Sequence, residues 1–356
     1  MRKLFLAPLA WIYGVVLSIR NRLYDAGTKK SISYDIPIVC VGNITTGGTG
    51  KTPMCELLID HFSKIYTVAL LSRGYGRKTK GYVEVEAKSS YRKVGDEPKQ
   101  IKLKYPEAVV VVCEDREKGI DRILAEHPEV GLIIMDDGFQ HRRIEPKINI
   151  VMVDYTRPMD KDHLLPLGTL RDSPRQLHRA HYVVVTKCPP DMTPLSRRIT
   201  LKRLELLPYQ RLFFTQTITG NLYPAFAGSE REAVRAGSPV VGMAAIGNPA
   251  PFVDNLRRKY NLVESLLFGD HHPYRVSDLR AMEHTLERAP EGTVIVTTEK
   301  DAVKLGTGSK MPPSLRSKIW VQPMAMRFVV ESKEDFLKKL EYDVRTNQTD
   351  RFFYRK

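Results

Sequence analysis

The chain has 356 residues, enough for two domains with their own cores. It carries 56 basic and 41 acidic side chains, a formal charge of +15, which favours an anionic partner: nucleic acid, anionic lipid or a phosphorylated substrate. Its four cysteines, Cys40, Cys55, Cys113 and Cys188, have no metal spacing, which excludes a cysteine-built zinc module and leaves reduced, cytosolic thiols as the expectation.

Residues 4–19 contain no charged side chain and include Phe5, Trp11, Ile12, Val15 and Val16, while Arg2, Lys3, Arg20 and Arg22 bracket them. A spanning helix needs roughly 20 apolar residues, and this run is shorter. A buried core helix and a secretory signal are the alternatives, although no small-residue cleavage site follows. The pattern predicts an interfacial helix, with its apolar body in the bilayer surface and its cations against lipid phosphates.

Residues 38–41 form a β-branched run that predicts a buried strand. It leads into Thr45-Thr46-Gly47-Gly48-Thr49-Gly50-Lys51-Thr52-Pro53, and residues 53–62 then carry Met54, Leu57, Leu58 and Phe62 at the spacing of one helix face. Strand, glycine loop and helix make a phosphate cradle, because backbone N–H groups and the helix N-terminus attract an anion. In such a P-loop Lys51 reaches the terminal phosphates and the Thr52 hydroxyl holds Mg2+. Thr45 occupies the place of the usual first glycine.

Further continuous apolar strands are predicted at 66–72, 108–113, 130–135, 148–153 and 182–185, with helical segments between several of them, such as 116–126. That alternation predicts a parallel sheet covered on both faces, an α/β, P-loop NTPase-like fold with ligands at the strand C-termini. The pattern changes near residue 210. An extended stretch at 211–219 precedes a smaller α/β unit: strand 239–242, helix 251–260, segment 266–274, helix 276–288 and strand 293–297. Residues 319–328 are again extended and are expected to pair with 211–219 as a connecting ribbon. The expected division is a membrane-associating helix (1–27), a P-loop kinase domain (28–210), a smaller domain completing the cleft (220–318), the ribbon (211–219 and 319–328) and a C-terminal segment (329–356).

Several clusters at predicted strand ends carry chemistry. Asp136 and Asp137 close the strand at 130–135, where an acidic residue completes a P-loop site by holding Mg2+ directly or through water. Gly95-Asp96-Glu97-Pro98 is a glycine- and proline-bounded loop in which Asp96 is either a general base, a metal ligand or part of a common turn. Asp270-His271-His272 offers a proton acceptor and its orienting partner, with zinc binding as the rival. Thr298-Glu299-Lys300-Asp301 is placed on a strand-end loop, and Arg171 is a candidate for phosphate contact.

Taken in order, these blocks resemble the tetraacyldisaccharide 4'-kinase family, the lipid A kinases of Gram-negative bacteria. The resemblance rests on the N-terminal apolar helix, Val41-Gly42-Asn43 with the P-loop, Ser72-Arg73-Gly74-Tyr75-Gly76, Gly95-Asp96-Glu97-Pro98, Asp136-Asp137-Gly138-Phe139-Gln140-His141, Asp270-His271-His272 and Thr298-Glu299-Lys300-Asp301. Thr45 agrees with this family; the weakest matches are residues 167–172 and the tail. The resemblance implies transfer of the ATP γ-phosphoryl group to the 4'-hydroxyl of tetraacyldisaccharide 1-phosphate, giving lipid IVA at the cytoplasmic face of the inner membrane. It maps residues 45–52 to ATP, and Thr52, Asp136 and Asp137 to Mg2+. It maps Asp96 with His271 to activation of the hydroxyl, with Asp270 nearby. Asp96 and His271 lie on different predicted domains, so they are expected to meet only when the cleft closes. Arg73, Arg77, Arg116 and Arg171 are candidates for the acceptor's 1-phosphate.

Two rivals fit the P-loop. A partitioning or septum-placing ATPase has a lysine before the glycine pair, where this chain has Thr46, and has no use for Asp270-His271-His272. A nucleic-acid-binding ATPase fits the charge, but no stacking aromatic motif or zinc module accompanies it, so no nucleic-acid partner is expected.

Overall fold

Runs of valine, isoleucine and leucine buried on both faces build a nine-stranded sheet at the centre of the molecule, a computed structural model that describes residues 2–226, 232–306 and 311–346. The side chains of residues 2–5 and the tail cluster around Phe352 and Phe353 lie outside the described residues. The strand order is Met324–Phe328, Arg211–Thr219, Tyr182–Thr186, Ile148–Asp154, Ile38–Asn43, Val130–Asp136, Thr67–Ser72, Val109–Val112 and Val83–Glu84. All pairings are parallel except the outermost one at each edge. The P-loop strand Ile38–Asn43 thus has neighbours on both sides, and its C-terminal end opens beside that of Val130–Asp136.

Helices cover both faces, as parallel strands require. One face packs Met54, Leu58 and Phe62 of the helix Lys51–Phe62 against Ile101 and against Phe336 and Leu340 of the helix Lys333–Arg345. The other packs Ile120 and Ile123 of the helix Arg116–Glu126 with Phe139, Ile144, Leu170 and Leu177. Gly42 is fixed by this second layer, because a Cβ there would sit 2.5 Å from the Phe139 Cβ. Gly42→Val should cost about 1–3 kcal/mol by overpacking, readable as a lower midpoint in urea unfolding.

A second, five-stranded sheet runs Asn261–Leu267, Pro239–Ala244, Val294–Thr298, Ile319–Gln322 and Tyr223–Pro224, with its own apolar layers on both faces. Three sequence expectations change here. Residues 319–328 are not one ribbon: Ile319–Gln322 belongs to the small sheet, and Met324–Phe328 pairs with Arg211–Thr219. Pro323 divides them because it has no N–H to continue a ladder. Asn261–Leu267 is a strand, although its exposed polar alternation hides it as an edge. Gly95-Asp96-Glu97-Pro98 is no loop. Asp96 begins the helix Asp96–Lys104, and Pro98 sits in its first turn, where a missing N–H is harmless.

The N-terminal helix Arg2–Asp25 docks on the large sheet's second layer by one side. Tyr13 donates to the Arg171 carbonyl at 2.8 Å, Asn21 donates to Asp172 at 3.0 Å, and Arg142 pairs with Asp25 at 2.6 Å. Its opposite side leaves Leu9, Trp11, Ile12, Val16 and Ile19 in the open, Trp11 at 72 % exposure. Among the described residues no helix is long and apolar enough to cross a membrane.

Candidate active site

The P-loop is held in shape before any ligand is considered. Gly47 and Gly50 have φ of 92° and 90°, the left-handed region that glycine enters without strain. Asn43 donates to the Thr49 hydroxyl at 2.8 Å, and Thr186 donates to the Thr49 carbonyl at 3.0 Å. Thr46 N–H bonds the Thr169 carbonyl at 2.8 Å, and Thr45 bridges to Leu170. On the outer side Arg157 reaches the Thr46 carbonyl at 3.2 Å while pairing with Asp154, which also takes Lys187 at 2.6 Å. Lys51 begins the helix that follows, its ammonium 3.7 Å from Asp137.

Asp136 and Asp137 have opposite environments. Asp136 ends its strand with Ser72 donating to it at 2.9 Å and the Cys55 thiol at 3.8 Å. Among the described residues no lysine or arginine pairs with its carboxylate. Burial, then the negative charges of Glu97 and Asp137, push its carboxyl up to about 6 against the weaker pull of Lys51 and Ser72. Asp137 takes a left-handed turn, φ 49°, which swings it to the guanidinium of Arg171 at 2.6 and 2.9 Å. Burial would raise its carboxyl, but the Arg171 hydrogen bonds and Lys51 outweigh that and hold it at about 2. Asp137, expected beside the metal, has both of its oxygens hydrogen-bonded to Arg171 in this structure.

A chain of contacts leads from Asp136 to Asp96. Ser72 heads the turn that contains Gly74, and Gly95 packs so closely on it that a Cβ would lie 3.3 Å from the Gly74 Cα and the Tyr75 carbonyl. Gly95 has φ 92°, so both space and conformation demand glycine. The next residue, Asp96, is buried, and three groups of the small-sheet unit converge on its carboxylate. His271 Nδ1 lies at 3.0 Å, Lys300 at 3.7 Å and Lys304 at 3.9 Å. Burial alone would raise the Asp96 carboxyl; the His271 hydrogen bond and the two lysines lower it overall. Asp96 and His271, expected to meet when the cleft closes, are joined in this structure. Tyr75 stacks obliquely on His271 at 5.3 Å, and Asp270 lies 3.8 Å from the other imidazole nitrogen. His272 turns away to Asp278 at 2.9 Å and stacks on Phe268.

Lys304 is the residue that the sequence reading passed over. It is almost fully buried between Asp301, at 3.0 Å, and Asp96. Asp301 in turn accepts from Thr298 and from the Ala245 N–H. These side chains stand on the helix Glu299–Leu305 with Thr298 as its N-cap, where a loop was expected. The signal available in the sequence was Thr298 followed three residues later by Asp301, a capping pattern. Lys304→Met should destabilise by about 3–5 kcal/mol, because it leaves the buried Asp301 carboxylate without its cation; thermal unfolding of the purified variant checks this.

The candidate arginines separate by their partners. Arg116 is buried on the Cys113 and Asp136 carbonyls, and Arg77 is bound to the Gly81 carbonyl and Glu114, so neither is free for a lipid phosphate. Arg171 is committed to Asp137 and Asn43. Arg73 is exposed.

Residues 2–343 match the family model described as Tetraacyldisaccharide-1-P 4'-kinase. The chain belongs to the tetraacyldisaccharide 4'-kinase family. Relatives so named include one from Phocaeicola vulgatus, 40 % identical over 98 % of this chain and 97 % of that protein. Another, from Porphyromonas gingivalis, is 39 % identical over 94 % of this chain and 96 % of its own length. A crystal structure of LpxK from Aquifex aeolicus in complex with ATP superposes with a TM-score of 0.76 at 28 % identity, covering 97 % of this chain and all of that one. Membership makes the protein a kinase of lipid A biosynthesis with the expected α/β P-loop architecture.

Proposed function

We propose that this tetraacyldisaccharide 4'-kinase works through residues 45–52 as the cradle for ATP and through the Asp96–His271 pair as the group that takes the proton of the 4'-hydroxyl, giving lipid IVA from tetraacyldisaccharide 1-phosphate. The observation that carries this reading is the 3.0 Å contact between Asp96 and His271, made across the junction of the two sheets and linked through Gly95, Gly74 and Ser72 to the strand end beside the P-loop. Phosphoryl transfer needs positioning and neutralised charge above all. Lys51 supplies a cation that can leave Asp137 for the phosphates, and the loop amides supply donors. A sugar hydroxyl is a poor nucleophile, and a buried carboxylate holding one imidazole nitrogen orients the other toward a substrate proton. His271 fills that role because His272 is committed to Asp278.

Asp136 fits Mg2+. It is a buried carboxylate without a cationic partner among the described residues, and it touches Cys55 of the helix whose first turn carries Thr52. When bound, the ion would neutralise charge on the transferred phosphoryl group, with Thr52 and Asp136 holding it and Asp137 keeping Arg171 and Lys51 in place. A pH dependence follows. Because its folded value is raised to about 6, Asp136 adds stability to the metal-free protein at pH below its ordinary value and loses that contribution as pH rises through 6. Mg2+ needs the ionised form, so the gain in melting temperature on adding Mg2+ should be full above pH 7 and vanish well below pH 6. A pH-independent gain would remove Asp136 from the metal site.

The division of labour is the one read from the sequence, with the return connection beginning after Pro323. The N-terminal helix lies on the cytoplasmic face of the inner membrane through its exposed side. The deciding experiment is phosphoryl transfer from Mg-ATP to detergent-solubilised tetraacyldisaccharide 1-phosphate, with the lipid product read by mass. A gain of one phosphate at the 4' position supports the reading. No gain by folded, ATP-binding protein overturns it, and turnover stimulated by DNA instead would favour a switch ATPase.

A further inference from the structure

We propose that the helix Pro194–Leu204 is a second contact with an anionic lipid surface, on the same side of the molecule as the N-terminal helix. The inference rests on the membrane placement given above and adds a separate surface to it. Pro194–Leu204 has four cations, Arg197, Arg198, Lys202 and Arg203, no acidic residue, and no buried residue at all. Arg198 and Lys202 stand four residues apart, where like charges repel on a helix. Among the described residues neither has a carboxylate within ion-pair distance, whereas Arg203 has Asp160 at 3.7 Å.

The apolar residues have no cover either. Leu195, Ile199 and Leu201 are exposed, Leu195 at 67 %, and Leu207 and Tyr209 continue the patch just past the helix end. Ser196, Ile199, Thr200, Arg203 and Leu204 line a groove shared with residues 153–160, so this side of the helix faces the body and leaves Leu195, Arg198, Leu201 and Lys202 on the other. At 100° per residue, Leu201, Arg198, Lys202 and Leu195 follow one another around the outward side. Leucines alternating with unpaired cations suit a bilayer interface. The leucines enter the acyl boundary, the long basic stems lie over it, and their heads meet lipid phosphates. A nucleic-acid surface would leave those leucines against a charged backbone.

Position supports the same partner. Leu204 and Leu206 pack into the apolar layer that also takes Leu164, and Leu164 lies under Gly14 of the N-terminal helix. Both helices therefore stand over one face of the large sheet. One lipid surface would then meet Trp11 and Ile12 on one helix and Leu195 and Arg198 on the other. Two separated contacts fix orientation as well as attachment, which a single helix, free to roll, does not.

The test is co-sedimentation of the full chain with vesicles of phosphatidylethanolamine and phosphatidylglycerol, and with vesicles of phosphatidylcholine. Arg198→Glu with Lys202→Glu should weaken partition onto the anionic vesicles by about tenfold or more, since each basic residue near such a surface contributes roughly one kcal/mol. Leu195→Gln with Leu201→Gln should weaken it on both vesicle types. Each pair should leave turnover of detergent-solubilised substrate unchanged, which shows that the variants are folded. A parallel variant, Ile12→Glu with Val16→Glu, tests the N-terminal helix alone. If that variant releases the protein while both Pro194–Leu204 variants bind as before, the second contact is wrong and the first stands. If none of the three changes binding, both membrane contacts are wrong.

Discussion

Asp96→Asn will lower kcat by about 10²–10⁴, the span that a positioned acid–base group contributes, while leaving ATP affinity nearly intact. Asparagine keeps the shape and can still bond His271, but it removes the charge that orients the imidazole and that Lys300 and Lys304 neutralise. His271→Gln should fall in the same range. The double variant should be scarcely worse than either single one, because the two side chains act as a unit. Steady-state kinetics on detergent-solubilised lipid, paired with equilibrium titration of ATP, read this out. Loss of ATP affinity in step with kcat would place Asp96 on the nucleotide instead. Additive losses from the two residues would separate them into different roles. Asp96→Ala is a poorer probe, since it leaves Lys304 with one fewer partner in a nearly dry site and so mixes stability with chemistry.

Lys51→Ala should cost about 10²–10³ in kcat, the loss seen when one preorganised donor to a developing charge is removed. Its effect on folding should be small. Lys51 is only partly buried, and its one ionic partner among the described residues, Asp137, keeps both hydrogen bonds from Arg171. Lys51→Arg should not rescue activity, because a planar, longer head does not fit a place shaped for a point charge. Normal turnover in Lys51→Ala would reduce the glycine loop to an architectural turn. Arg171→Ala offers the contrast: it frees Asp137 and should damage both nucleotide binding and stability.

The parts of this molecule that could be read from the sequence are those where local pattern and burial agree. The strands expected at 130–135, 148–153 and 182–185 are rich in apolar residues, interrupted only by Gly131 and Asn149, and they lie in the covered parallel sheet that this pattern predicts. The helix Arg116–Glu126 repeats its apolar residues at helical spacing and begins after Asp115, which caps it. Edges and junctions were harder. Asn261–Leu267 lies at a sheet margin with half-exposed polar residues, so its alternation resembles that of a loop. Asp96 looked like a turn residue because glycine and proline flank it. Here the glycine serves a close approach and the proline a helix start, two uses that the residue types alone do not distinguish. Lys304 could not be found by motif, because its importance lies in what burial places around it.

Arg171 faces two ways. Its guanidinium clamps Asp137 beside the P-loop, and its backbone carbonyl receives the hydroxyl of Tyr13 from the N-terminal helix, while the adjoining Asp172 takes Asn21 and Arg20. The anchor and the phosphate site therefore share a hinge pin two residues wide, Arg171 and Asp172. Truncating the helix is not a neutral way to make the enzyme more soluble: it pulls the pin, uncovers Asp172 and loosens the grip on Asp137 at the same stroke. A shortened protein that turns over slowly in detergent would be reporting this mechanical linkage, with no membrane present to blame.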